Sequence, residues 1–175
     1  MKHKNLLITT VLAIALFIAS ANNVTAQSYR NALGFRVGSP FGMTFKHLFN
    51  EHSGLELIVG ARGRSAEVIG LYEYHIYPAK KAPQFDLYFG GGAHVGFYGP
   101  RAKGKDRGPF YSGNPYWSRD EAYVGVGLDG IVGCSYTFKN APVNLGIDYK
   151  PAISLNSYVG YLRGDLAISV RFVLN

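Results

Sequence analysis

The sequence predicts an all-β protein, an eight-stranded antiparallel up-and-down transmembrane β-barrel that follows a short leader segment. Apolar residues alternate with polar or small residues along eight segments, as expected for strands with one apolar face. Charged residues make up 17% of the chain, below the ~25% of an ordinary soluble domain. Glycine occurs 22 times, tyrosine 13 times and phenylalanine 11 times, which suits barrel strands with aromatic girdles.

The first residues have the parts of a secretory signal peptide. Residues 2–4 form a positive head, residues 6–21 carry no charge, and residues 24–26 supply small side chains where a signal peptidase reads them. The uncharged run has 16 residues, whereas a helix that crosses a bilayer core needs ~20. An uncleaved anchor helix is therefore the weaker alternative.

The expected cleavage site lies between Ala26 and Gln27. Residues 1–26 then form the signal peptide, and residues 27–175 form one barrel domain. Cys134 is the only cysteine, which excludes an internal disulfide as well as a lipid-attachment site after the leader. Strand pairing and side-chain packing must therefore hold the barrel together.

The first half of the barrel domain contains four alternating runs, which predict four strands. They cover residues 32–38, 41–46, 55–60 and 67–76. Ser39-Pro40 separates the first two runs, and residues 50–53 read as a turn before the third. Ile69 and Leu71 blur the fourth run, because they occupy its otherwise polar positions.

The second half contains four more runs and one long connection. The runs cover residues 85–97, 124–138, 143–150 and 165–172. The first of these is the clearest of all, with apolar side chains at nearly every second position. Residues 78–83 and 139–142 are short turns, whereas residues 99–121 form a polar loop rich in glycine and proline.

The composition of the two faces predicts that the apolar face points outward into lipid. The polar faces are rich in small residues and carry charges of both signs, which can pair inside a barrel just wide enough to be filled by side chains. The expected lumen charge network comprises Arg36, Lys46, Glu56, Glu73, His75, Asp86, His94, Asp129, Asp148, Lys150, Asp165 and Arg171. Aromatic residues near strand ends are expected to form girdles at the membrane interfaces, namely Tyr72, Tyr74, Phe85, Phe97, Tyr98, Tyr136 and Phe138. A soluble lipocalin-like carrier of the periplasm, apolar inside, is the alternative.

The connections predict how the barrel sits in a membrane. If the mature chain starts in the periplasm, the short turns at 50–53, 78–83 and 139–142 are periplasmic and the loop 99–121 is extracellular. We therefore expect the protein in the cell outer membrane, in contact with its lipid. We also expect a monomer with a packed lumen and no open pore.

Three segments carry a resemblance to a known family. They are LGFRVGSPFG at residues 33–42, GGGAHVG at 90–96 and LGIDYKPA at 145–152. With them the chain resembles the small outer-membrane β-barrel proteins of Gram-negative bacteria, of OmpX and OmpA barrel size, and more closely a group of short barrels of unassigned function. The resemblance implies a fold and a location but no activity. One departure is that Phe172 is followed by three further residues, whereas such barrels usually end on an aromatic residue.

No motif in the sequence predicts catalysis, a cofactor or a metal site. Gly125, Gly127 and Gly130 match the spacing of a dinucleotide-binding loop, but the alternation continues through them and leaves no helix to hold a pyrophosphate. No histidine pair has metal-ligand spacing. An outer-membrane lipid-modifying enzyme remains the alternative. Enzymes of that kind carry His and Ser two residues apart on one strand, and no histidine here has that neighbour.

The loop 99–121 is the candidate binding segment. Its basic and aromatic residues suit phosphate or sugar surfaces and comprise Arg101, Lys103, Lys105, Arg107, Tyr111, Tyr116, Trp117 and Arg119. The expected partners are lipopolysaccharide phosphate or surface glycans, and a merely solvated loop is the alternative. The net charge of +7 does not indicate nucleic-acid binding, because an exported chain does not meet the DNA of its own cell. The expected role is structural or interactive: membrane integrity, adhesion or recognition.

Overall fold

Eight antiparallel strands close into a single barrel in the computed structural model, which describes residues 29–63, 65–78, 84–99, 122–155 and 162–174. The strands are β1 (Asn31–Val37), β2 (Phe41–Asn50), β3 (Ser53–Arg62), β4 (Ser65–Ile76), β5 (Phe85–Tyr98), β6 (Tyr123–Thr137), β7 (Val143–Ser154) and β8 (Leu162–Leu174). Each strand pairs with its neighbours in sequence, and β8 pairs with β1. The predicted fold class is confirmed. Within the described residues, no helix is long and apolar enough to cross a membrane.

The strands are tilted around the barrel, as the register shows. A path of directly paired residues that starts at Ala32 and passes through Lys46, Glu56 and the following strands reaches Arg163 on β8. Arg163 lies ten residues before Val173, the β8 residue that pairs with Ala32 directly. This stagger is what a closed sheet of tilted strands requires.

The connections divide between two ends of the barrel. The lower end carries the first residue of β1, the last residues of β8, and the connections at 51–52, 77–84 and 138–142. The upper end carries the connections at 38–40, 63–64, 99–122 and 155–161. Gly63 begins the turn between β3 and β4 with a φ of 57°, a left-handed conformation that glycine adopts without a steric penalty.

Large apolar side chains cover the outside of all eight strands. Phe35 and Val37 are both 60% exposed, and Leu166 is 67% exposed. The alternate positions point inward and are buried, including charged ones. The barrel is therefore inverted relative to a soluble barrel, whose apolar side chains point inward.

One expectation about side-chain direction needs correction. Tyr98, expected in an interfacial girdle, points toward the lumen, where its hydroxyl donates a hydrogen bond to Glu67. The residues that blurred the fourth run, Ile69 and Leu71, also point inward and are fully buried. They pack there because the middle of the lumen holds an apolar cluster, formed by Ile58, Ile69, Leu71, Tyr88 and Ile131.

Candidate functional site

The lumen is the chemically richest part of the described structure. All twelve residues of the expected network lie in it, and none is more than 6% exposed. They come from all eight strands, because each occupies an inward position of its strand. The structure divides them among a lower, a middle and an upper cluster.

The lower cluster is built around Glu56. An Arg171 Nη2 donor lies 2.5 Å from Glu56 Oε1, and the hydroxyl of Thr44 donates to the same oxygen. Lys46 Nζ lies 2.7 Å from Glu73 Oε2 and 3.6 Å from Glu56 Oε2. The ammonium also lies 4.1 Å from the centre of the Tyr88 ring, within cation–π range.

The lower cluster continues toward the lower mouth through a histidine. His75 Nδ1 lies 2.5 Å from Asp86 Oδ2, and its Nε2 lies 3.3 Å from Glu73 Oε2. The hydroxyl of Ser135 donates to the other oxygen of Asp86. Asn144 then donates to Ser135 Oγ at 3.0 Å, which extends the polar chain to β7.

Two tyrosines outside the strands border this mouth. Burial, and next the negative charge of Asp86, raises the pKa of the Tyr29 hydroxyl. The same two causes, in the same order, raise the pKa of Tyr77. Both phenols therefore stay protonated to higher pH than a solvent-exposed tyrosine does.

The middle cluster is a bridge made by one arginine. Arg36 on β1 lies 2.7 Å from Asp148 on β7 and 3.3 Å from Asp165 on β8. The Tyr88 hydroxyl donates to the same oxygen of Asp148 at 3.3 Å. With the apolar cluster beside it, this bridge fills the lumen at mid-height.

The upper cluster contains two groups. Asp129 lies 2.7 Å from Lys150 Nζ and 2.5 Å from His94 Nδ1. Arg163 binds both oxygens of Glu67, at 2.8 and 2.9 Å, in the bidentate geometry that gives strong arginine–carboxylate pairs.

The pair of Glu67 and Arg163 was missed by the expected network. Glu67 stands on the polar face of its predicted strand, so alternation alone could have included it. Arg163 precedes the predicted eighth strand, which began at residue 165, so no face was assigned to it. The observed β8 begins at Leu162 and turns Arg163 toward the lumen.

The three residue types of a catalytic triad meet in the lower cluster, but in the wrong order. Asp86 lies between Ser135 and His75, whereas nucleophile activation needs the histidine between the serine and the carboxylate. All three side chains are also buried in the lumen. In the described part of the chain, no group of three His, Cys, Asp or Glu side chains is arranged to hold a metal ion.

An open cleft of about 600 Å³ lies at the upper rim. Its walls come from the ends of β4, β5 and β6, and its lining residues are Ser65, Ala66, Phe97, Tyr98, Gly99, Ala122 and Val124. The described lining is mostly apolar, so the cleft offers an apolar contact surface.

Comparison with known proteins identifies the fold. No family model matches the chain, and no curated protein matches its sequence. The structure is similar to the N-terminal β-barrel domain of Pseudomonas aeruginosa OprF, with a TM-score of 0.55 and 11% identity over 81% of this chain and 96% of that one. Yersinia pestis outer membrane protein Ail, solved in a phospholipid bilayer nanodisc, aligns with a TM-score of 0.42 and 14% identity over 84% of this chain and 100% of that one. The likeness to the OprF domain confirms the resemblance at the level of the fold.

Two groups of expected site residues lie outside the described residues. The first group is the signal cleavage site, Ala26 and Gln27. The second group is the basic and aromatic residues of the loop 99–121. Gly99 is the one residue of this loop that the structure describes. The loop joins β5 to β6 at the upper end, as the ends of those two strands show.

Proposed function

We propose that this chain is a small outer-membrane β-barrel protein with a structural or surface-interaction role. The observation that carries the proposal is the inverted barrel: a closed sheet with an apolar exterior on every strand and its charges sealed inside. An exterior of that kind is stable in lipid, and closure leaves no unpaired strand edge there. Export by a signal peptide cleaved after Ala26 is part of the proposal.

The lumen supports a barrel without an open pore. Arg36, Arg171, Lys46 and Tyr88 are among the largest fully buried side chains, and all four lie inside. Between the lower and upper clusters, the side chains of the apolar cluster and the Arg36 bridge occupy the middle of the described lumen. Membrane integrity, adhesion or recognition suits such a barrel better than transport.

The two alternative functions are less well supported. A soluble periplasmic carrier needs an apolar lumen with room for its ligand, whereas the lumen here is packed with charged side chains and one apolar cluster. A lipid-modifying enzyme needs a nucleophile and its base at the lipid face. The His75, Asp86 and Ser135 side chains are instead buried inside, in an order that activates no nucleophile.

We further propose that the loop 99–121 is the extracellular recognition segment. Its basic and aromatic residues suit lipopolysaccharide phosphate or surface glycans. The strand ends place this loop on the side opposite to the chain termini of the barrel, together with three other upper connections. The barrel itself acts as a monomer in this proposal, with lipid as the partner of its outer face.

Cell fractionation with denaturing gels tests the proposal. We expect the protein in the outer-membrane fraction, with a band that migrates differently in unboiled and boiled samples because the closed barrel resists the detergent. Mass spectrometry of lipopolysaccharide incubated with the purified protein should show unchanged lipid. A soluble periplasmic band without a heat-dependent shift would overturn the membrane proposal, and a modified lipid would establish the enzyme.

A further inference from the structure

The lower cluster holds more negative than permanently positive groups. Its carboxylates are Glu56, Glu73 and Asp86, and its permanent cations are Lys46 and Arg171, all at most 4% exposed. Arg171 pairs with Glu56, and Lys46 pairs most closely with Glu73. Asp86 is thus the carboxylate without a permanent cation of its own. Among the described residues, its ion-pair contact is His75.

The ring of His75 faces two carboxylates at once. Its Nδ1 lies 2.5 Å from Asp86 and its Nε2 lies 3.3 Å from Glu73. A neutral imidazole has one N–H and one lone pair, so a neutral ring would turn a lone pair toward one of the two carboxylates. An imidazolium presents an N–H to each.

Every element around His75 contributes to its surroundings. The charged groups are Lys46 from β2, Glu56 from β3, Glu73 from β4, Asp86 from β5 and Arg171 from β8. The remaining titratable groups are one imidazole and three phenols. The imidazole is His52 of the lower turn, whose Nδ1 lies 3.1 Å from the backbone carbonyl oxygen of His75. The phenols are Tyr88 on β5, whose ring centre lies 5.5 Å from that of His75, and Tyr29 and Tyr77 at the mouth. The groups from β6 and β7, Ser135 and Asn144, are uncharged.

We propose that His75 is positively charged in the folded barrel and acts as a proton-dependent counter-ion that joins Glu73 to Asp86. The proton completes the charge balance of the lower cluster. Its loss leaves a buried carboxylate uncompensated next to the lower mouth, which favours entry of water and loosening of this half of the lumen. The middle bridge and the upper cluster keep their own partners and stay closed. The lower half of the barrel is thereby a pH-sensitive element.

The direction in which pH changes the stability of the barrel follows from the position of Glu73 and Asp86 beside the His75 ring. Only the folded barrel holds them beside the ring, so folding favours the protonated form. The stabilisation is therefore present while His75 is protonated and its two carboxylates are ionised, and it is lost as rising pH removes the proton from His75. This holds for the closed barrel whether or not it lies in a membrane, so the test below is separate from that of cellular location.

A charge-balance cycle tests the proposal on the refolded mature barrel in phosphatidylcholine vesicles. The variants are H75Q, D86N and the double variant H75Q/D86N, with H47Q as the matched histidine control, because His47 on β2 contacts Asn31 and Phe49 and not the lower cluster. At pH 7, H75Q should raise the unfolding equilibrium constant in urea by about 100-fold, as expected when one partner of a buried ion pair is removed. The double variant should recover most of that loss, since its two carboxylates and two cations balance again. H47Q should behave like the wild type.

Two results would overturn the proposal. If H75Q/D86N is no more stable than H75Q, then His75 contributes packing and no charge. If H75Q does not refold, nitrogen-15 NMR of the wild-type imidazoles at pH 7 in detergent micelles decides directly. Protonation of both His75 ring nitrogens supports the proposal, and a neutral ring refutes it. In a pH series, the urea midpoint of the wild type should fall between pH 7 and pH 9 more than that of H75Q/D86N, and parallel curves would contradict the proton-dependent element.

Discussion

Individual residues of this barrel have charged side chains that are inaccessible to solvent. Arg171, Lys46 and Glu56 are fully buried, and each is held by a partner from another strand. Burial of a charge is costly on its own, so these residues stabilise the barrel only as a set. Removal of one member is therefore expected to cost far more than removal of a balanced pair.

Arg171→Met should lower the free energy of unfolding by about 3–5 kcal/mol, because Glu56 then remains as a buried charge with a weaker cation partner. The double variant R171M/E56Q should lose much less, since Lys46 and Glu73 still balance each other. Urea titration of the refolded protein, followed by the heat-modifiable gel band, measures both. Equal losses in the single and double variants would show that Arg171 acts by packing.

At the residue scale, the sequence predicts which side chains are inside, but it does not predict which of them touch. Alternation turns Arg36 inward because its neighbours on either side are apolar. Its partner Asp148 is 112 residues away, and that contact depends on the barrel's stagger, which one sequence does not reveal. The composition of the two faces is also an incomplete guide to side-chain direction. Ile58 and Ile69 are apolar and yet point inward, because neighbouring side chains exclude water from that part of the lumen.

At the scale of the elements, strand pairing depends on where side chains are absent. A Cβ atom at Gly92 on β5 would overlap the carbonyl group of Gly70 on β4, which belongs to the backbone and cannot move aside cheaply. Gly70 itself has open space around its own missing Cβ. Substitution of these two glycines on neighbouring strands can therefore be compared, with Gly92 as the test position and Gly70 as the control.

Gly92→Ala should destabilise the barrel by about 1–3 kcal/mol through forced separation of β4 and β5. Gly70→Ala should change the stability by a few tenths of a kcal/mol only. Hydrogen exchange of the β4 and β5 amides, together with urea titration, distinguishes a local separation from a global loss. If the two variants behaved alike, backbone approach at Gly92 would not be what fixes this pairing.

The sequence predicts the presence of each strand better than it predicts where the strand ends. All eight alternating runs correspond to observed strands. The observed β7 continues to Ser154 and β8 begins at Leu162, whereas the alternation stopped at residue 150 and began again at residue 165. At the upper end, Gly164 and Pro151 interrupt the apolar pattern while the two strands still pair there, so the tertiary contact decides.

At the scale of the whole molecule, the surroundings of the barrel's outer face can be tested by placing a charge on it. The loss of stability that the charge causes depends on whether the outer face contacts lipid or water. Ile168 is the central residue of β8, points outward and is 54% exposed. Ile76 also points outward but is the last residue of β4, at the lower end.

Ile168→Arg should destabilise the barrel in vesicles by about 2–4 kcal/mol, the cost of an arginine at the bilayer midplane. Ile76→Arg should cost about 0–1 kcal/mol, because it lies near the interface. Urea titration in vesicles compares the two. Equal and negligible costs would mean that the outer face contacts water.

The upper loop should be separable from the barrel. Replacement of Arg101, Lys103, Lys105 and Arg107 together by Ala should weaken binding to lipopolysaccharide vesicles without a change in the heat-modifiable band, because strand pairing does not involve these residues. Vesicle co-sedimentation and the gel assay measure the two effects. Failure of the variant to assemble would refute a role confined to recognition.

The ion pairs that cross the lumen also bear on the order of events in assembly. Arg36 joins β1 to β7, Arg171 joins β8 to β3, and Arg163 joins β8 to β4, so each links strands that are not neighbours in the sheet. We expect these pairs to form late in assembly, as the sheet closes and β8 pairs with β1. Interactions that appear only after the rate-limiting step act mainly on the reverse rate. The lumen network should therefore scarcely affect how fast the barrel inserts, and should chiefly determine how long it lasts once closed.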